Sequence, residues 1–186
     1  MSGHVRIKVI NKTGAALRNR LARMADMLEE TNAARAGWLG SDKYANGESI
    51  ADVAHTQEFG FNGWPEIPAR PFMRPAFRRG VVKWRRRLFI GMYMELRKRN
   101  GGSLEKVFQE IGEMMAEKIK KCILEVHSPK LADYTIRQRI RQRGIQKQYK
   151  NNGLTANVHS ALVKPLIDTG TMINSVKHWT HGGKRL

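Results

Sequence analysis

Residues 75–126 read PAFRRGVVKWRRRLFIGMYMELRKRNGGSLEKVFQEIGEMMAEKIKKCILEV, and their periodicity decides the fold. Met73, Phe77, Val81, Trp84, Leu88, Met92 and Leu96 recur at three- and four-residue steps, which puts them on one face of a helix. Pro75 suits the first turn. A helix from Pro75 to about Arg99 would be ~37 Å long. Gly80 and Gly91 weaken it by roughly 1 kcal/mol each relative to Ala. Asn100-Gly101-Gly102 stops it, and Ser103 can cap a second helix. That helix carries a stripe of Leu104, Val107, Phe108, Ile111, Met115, Ile119, Cys122 and Val126, and Ser128-Pro129 ends it. Two helices joined by a short glycine turn predict an antiparallel hairpin over about 75–126.

On the N-terminal side, Val5, Ile7 and Val9 alternate with basic residues and predict a short strand. Gly14 ends it. Leu17, Leu21, Met24 and Leu28 predict an amphipathic helix from about Ala15 to Asn32. Ala36 to Leu39 is a candidate strand, and Asn46-Gly47 a tight turn. Ser49 to Phe59 reads as a short helix, with Ser49 as N-cap and Asp52 at the third helical position. Two glycines and three prolines between Gly60 and Pro71 predict a loop with defined bends. Its aromatics, Phe59, Phe61, Trp64 and Phe72, should pack on the core or on a neighbouring subunit.

On the C-terminal side, Asp133 to Arg143 predicts a third, basic helix. Gly144 to Asn157 reads as a mobile loop or arm. Val163 to Ile167 and Met172 to Trp179 regain strand character. The expected class is α+β, with a small, mostly antiparallel sheet packed on the long helix hairpin. Residues 1–143 form the core domain in this reading. Residues 144–186 form an extended, basic, mobile segment returning to a C-terminal strand.

The chain has 186 residues, 41% of them hydrophobic, enough for a core without disulfides or metals. No run approaches the ~18 apolar residues of a membrane span. Met1 to Val9 lacks an apolar signal core, so no secretion signal is expected. A single cysteine, Cys122, excludes an intrachain disulfide and makes a reducing cytoplasm the default. Charge is the outlier: 34 Lys and Arg against 16 Asp and Glu give +18. The excess is concentrated. Residues 67–99 carry eleven basic and one acidic side chain, and residues 128–150 seven and one, whereas residues 1–66 are neutral. Such segments are either solvated helix faces or surfaces for DNA or an acidic partner.

No catalytic constellation stands out, and the chain does not read as an enzyme. There is no Walker-type phosphate loop. Cys122 lies on an apolar helix face, the setting of an inert thiol. His178-x-x-His181 could touch one metal if helical, but has no neighbouring carboxylates. Asp168, before Thr169-Gly170, reads as a turn or cap. No cofactor is expected. Trp84 among Lys83, Arg85, Arg86 and Arg87 could stack on nucleic acid, yet it falls on the apolar face and reads as core. DNA binding through these basic residues would be largely electrostatic and would fall with salt.

Three blocks carry a family resemblance. The first comprises Gly37-Trp38-Leu39, Tyr44, Gly47, Ser49-Ile50-Ala51, Val53-Ala54 and Glu58-Phe59-Gly60. The second, and most specific, is Ile67-Pro68-Ala69-Arg70-Pro71-Phe72-Met73-Arg74-Pro75. The third runs from Ser128-Pro129, Leu131-Ala132 and Thr135-Ile136 to Lys164-Pro165-Leu166-Ile167-Asp168-Thr169-Gly170, with Met172 and Ser175. In this order they resemble the neck and tail-completion proteins of long-tailed bacteriophages, minor virion components of the head–tail joint. The blocks cover about a third of the chain directly. The basic stretch Arg137 to Asn157 is longer than in the shorter members.

The resemblance implies a small sheet packed on helices, no catalysis, and assembly into a ring, six-fold by expectation with twelve-fold as the alternative. It implies partners on both sides: connector or head-closure proteins, and tail-terminator or tail-tube proteins. DNA would cross the lumen, with no role for a membrane. The location implied is the virion neck, with host cytoplasm during assembly. The alternatives are a tail-terminator ring of the same virion and a sequence-nonspecific nucleic-acid-binding protein. Candidate interface residues are Phe61, Trp64, Arg70, Phe72, Arg137, Arg139 and Arg141. Candidate contacts to DNA or an acidic partner are Lys83, Arg85, Arg86 and Arg87. Arg70 is expected to pair with a carboxylate, Glu58 being the candidate.

Overall fold

A computed structural model describes residues 12–97, 104–142 and 164–182. The described elements are α1 (Lys12–Glu30), β1 (Thr31–Gly37), α2 (Ile50–Phe59), α3 (Met73–Leu96), α4 (Glu105–Glu125), α5 (Asp133–Gln142), a single-turn α6 (Thr171–Asn174) and β2 (Lys177–Gly182). The class is α+β: a long helix pair with a small antiparallel sheet.

The α3–α4 pair forms as the periodicity predicts, and two glycines let its surfaces close. A Cβ at Gly91 would lie 2.5 Å from a Val107 methyl, so this glycine sets the approach of α3 to α4. A Cβ at Gly80 would lie 2.2 Å from the Trp84 ring, which folds over the helix backbone there. Trp84 is buried with Leu104, Val107, Phe108 and Ile111, as its place on the apolar face requires. The hairpin is clamped by Arg79 to Glu125 at 2.6 Å and by Arg87 to Glu110.

The sheet has two strands, distant in sequence. β1 pairs antiparallel with β2, with Arg35 opposite Trp179 and Gly37 opposite Lys177. α4 packs across both strands. A Cβ at Gly112 would meet His178 at 3.2 Å, the close approach that seats α4 on β2.

The larger core cluster joins Ile50 and Ala54 of α2, Phe72 and Ala76 at the start of α3, and Ala116, Ile119, Cys122 and Ile123 of α4. Leu166, Met172 and Val176 complete it. Residues 164–182 are therefore part of the core and its sheet rather than an appended arm. The strand expected over Val163–Ile167 is turn structure where it is described, from 164 on, and the one expected over Met172–Trp179 divides into the helix α6 and the first half of β2.

Other boundaries move as well. α1 starts at Lys12, running through Gly14, and Thr31 begins a strand where helix was expected to Asn32. That strand ends at Gly37, before Trp38-Leu39. Trp38 instead turns inward, donating its indole N–H to the Met172 carbonyl at 2.8 Å. The strand expected at Val5–Val9, the cap at Ser103 and the mobile segment Gly144–Asn157 lie outside the described residues. No helix among the described residues is long and apolar enough to cross a membrane.

Candidate functional site

The site begins at the end of α2. Ser49 caps that helix, accepting from the Asp52 amide at 3.3 Å as the capping pattern predicts. The helix ends at Gly60, whose φ of +80° suits glycine. A Cβ there would also strike the backbone of Ile67 and Ala69 at 2.9 Å. This geometry aims Glu58 at the start of α3.

A helix start leaves its first amides without intrahelical partners, and the N-cap residue here, Phe72, has no side-chain acceptor. Glu58 fills the gap from another helix. Its Oε2 accepts from the Phe72 amide at 2.6 Å and the Met73 amide at 2.8 Å. Its Oε1 accepts from the Arg74 amide at 3.1 Å and Arg74 Nε at 2.9 Å. Burial pushes the Glu58 carboxyl up, but the hydrogen bonds from Arg74 and the three amides outweigh it and hold the group below its ordinary value.

Arg70 does not pair with Glu58. It is buried, and its fork reaches three oxygens on two distant segments. Nε donates to the Pro129 carbonyl at 2.9 Å, Nη2 to the Lys130 carbonyl at 3.2 Å, and Nη1 to Gln57 Oε1 at 3.0 Å. The reason is positional. Glu58 is already occupied by the helix start, and Arg74, one turn further on, is the arginine that reaches it.

Arg139 is likewise turned inward and is not a partner contact. It is 8% exposed, and its Nη1 donates to the Lys164 and Ile167 carbonyls at 2.9 and 3.0 Å. Its Nε lies 3.5 Å from Asp168, so Asp168 works with α5 rather than only with its own turn. A cleft of about 470 Å³ lies here, lined by Tyr44, Gln57, Arg139, Asp168 and Met172 among others. Arg137 and Arg141 remain exposed on the opposite side of α5.

Phe72 is 0% exposed and packs edge-on against Trp38 at 5.8 Å, so it is core and not interface. Phe61 and Trp64 behave differently. The Phe61 and Ile67 backbones bond each other at 2.8 and 2.9 Å, closing a short loop, and Trp64 stands on it 97% exposed. Lys83, Arg85 and Arg86 point to solvent, whereas Arg87 is tied to Glu110 of α4. His178 and His181 fall on β2, not on a helix, and His178 Nε2 lies 3.7 Å from Glu113. Burial pushes the Cys122 thiol up. Among the described residues no group of three or more His, Cys, Asp and Glu could hold a metal ion.

One surface escapes the sequence reading. Val82, Phe89, Ile90, Tyr93 and Met94 form a second apolar stripe on α3, facing away from α4, with Phe89 79% exposed and Val82 75%. The signal is present in the spacing of Val82, Phe89 and Tyr93, seven and then four residues apart. The dense arginines between them obscure it. No family model, curated protein or solved structure matches the chain.

Proposed function

We propose that this protein is a structural component of the neck of a long-tailed bacteriophage, assembling as a ring at the head–tail junction and acting by assembly rather than chemistry. One observation carries the reading. The three blocks that resemble neck and tail-completion proteins meet in one hydrogen-bonded junction. Glu58 of the first block holds Arg74 of the second, and Arg70 of the second reaches Pro129 of the third, while Gln57 and Lys130, which adjoin the resembling residues without being among them, supply Arg70's two other oxygens. Residues that resemble a family pattern thus share one mechanical task, fixing where the long helix leaves α2.

A ring subunit also needs two different exposed faces for a heterologous contact. The Trp64 loop and the outward stripe of α3 supply two such apolar faces. Arg137 and Arg141 supply a basic surface for an acidic neighbouring ring, and Lys83, Arg85 and Arg86 another for DNA or an acidic partner. The exposed arginines of α3 also favour a second reading, nonspecific nucleic-acid binding.

Antibody-gold labelling of particles from the source lysate separates the two. Label confined to the head–tail junction is expected. Unlabelled tailed particles, intact and disrupted, with the protein free or on nucleic acid, would overturn the neck reading.

A further inference from the structure

We infer that the Phe61–Ile67 loop of one copy docks on the outward stripe of α3 of the next copy, with Trp64 seated beside Phe89 and Tyr93, and that this contact is the joint between ring subunits. The inference deepens the neck proposal and rests on it for closure of the joint into a ring.

The loop is built as a rigid knob. Its ends are paired through Phe61 and Ile67, and the Phe61 ring lies over Gly63 so closely that a Cβ there would meet it at 2.3 Å. A preorganised aromatic anchor loses little freedom on docking, which is how buried Trp residues come to dominate interfaces. Trp64 is 97% exposed and is not covered by the described residues of its own chain.

Within one chain the loop does not reach its own stripe on α3. The loop feeds the start of α3, and Phe89 lies sixteen residues beyond Met73, about 24 Å along the helix axis. Both remain exposed, Phe89 at 79%. Knob and stripe are therefore two different, offset faces of one subunit, the condition for head-to-tail association.

Area and charge favour a second copy as the occupant. An aromatic side chain buries roughly 150–250 Å², so the knob and stripe together offer on the order of 1,000 Å² per joint, the lower end for a specific interface. Each ring subunit makes two such joints. The knob also carries the exposed acid Glu66, and the stripe is interrupted by the exposed Arg85 and Arg86 between Val82 and Phe89. In a chain of +18 most surfaces repel a second copy; here an acid meets basic residues around an apolar centre. Moderate salt should therefore favour the joint by screening the remaining repulsion, whereas it weakens binding to a polyanion.

Disulfide trapping on full-length chains tests this without requiring a stable ring in solution. Asn62→Cys, on the loop beside Trp64, is mixed with Ile90→Cys, on the stripe beside Phe89, under mild oxidation, so that Trp64, Phe89 and Tyr93 all stay in place; both positions are exposed, and the native thiol, Cys122, is 3% exposed and does not compete. The control pairs Asn62→Cys with Tyr134→Cys, an exposed position on α5. Docking raises the local thiol concentration, so the 62–90 pair should form about tenfold faster or more than the control, and a further Trp64→Ala change should abolish that preference. Equal rates, or fastest pairing of Asn62→Cys with itself, would overturn the joint. If trapping is selective but particles carry no label at the neck, the joint stands and the neck proposal fails. If particles are labelled but trapping is not selective, the reverse holds.

Discussion

Replacing Glu58 by Gln keeps the shape of the side chain and removes the chemistry that starts α3. Each carboxylate oxygen accepts two hydrogen bonds, Oε2 from the Phe72 and Met73 amides and Oε1 from the Arg74 amide and Arg74 Nε. A glutamine oxygen can serve only one of these pairs. Its NH₂ then faces the donors of the other. The loss combines two buried, charge-assisted bonds with the charge that favours a helix N-terminus, and the expected destabilisation is about 2–4 kcal/mol. Arg74 is half exposed, so little of this comes from the ion pair itself.

Urea unfolding of the full chain is the assay. With a slope of about 2–3 kcal/mol/M, the midpoint should fall by about 1 M with the slope unchanged. The pH dependence supplies a second readout. The Glu58 carboxyl is held below its ordinary value near 4.5, so the folded state favours its charged form. Its contribution is full above that value and is lost as pH falls through the lower, folded-state value. Glu58→Gln should flatten the acid limb of the wild-type stability profile. An unchanged midpoint and an unchanged acid limb would refute the assignment of Glu58 as the cap of α3.

Arg70→Lys keeps the charge but not the planar fork that spans Gln57, Pro129 and Lys130, and should cost about 2–3 kcal/mol in urea unfolding; equal stability would show that those oxygens need no arginine. Gly91→Ala should destabilise by about 1–3 kcal/mol because its methyl meets Val107, despite a gain of roughly 1 kcal/mol in helix propensity; a raised melting temperature would show that α3 and α4 can separate there freely. Arg137→Glu with Arg141→Glu should leave the melting temperature within about 2 °C, since both side chains are exposed, and should block tail joining in a plaque assay; normal plaques would exclude that face as a partner surface. Arg139→Glu should unfold the region around 164–168, because it places a carboxylate among carbonyl oxygens; a wild-type melting curve would refute the inward role of Arg139.

The helix hairpin was legible because periodicity is a local signal. Trp84, Leu88 and Met92 repeat at helical spacing whatever the rest of the chain does, as do Val107, Ile111 and Met115, and a glycine turn leaves two such helices antiparallel. The capped helix after Ser49 was legible for the same reason, since the capping oxygen and the amide that donates to it lie three residues apart. The sheet was not. β1 and β2 are joined by pairing across more than 130 residues, and neither Thr31–Gly37 nor Lys177–Gly182 alternates strongly enough to announce itself. Arginine function was equally illegible. Arg70, Arg74, Arg85 and Arg139 are alike in composition and charge pattern. Whether each holds a carbonyl, caps a helix through a glutamate or meets solvent depends on which distant oxygens the packed core brings within 3 Å. Sequence alone determined the helical frame, the basic excess and the inert place of Cys122. Only the tertiary structure decided that Glu58 starts α3, that Arg70 and Arg139 close the core, and that Trp64 and Phe89 remain outside it, because those outcomes depend on contacts between residues far apart in the chain.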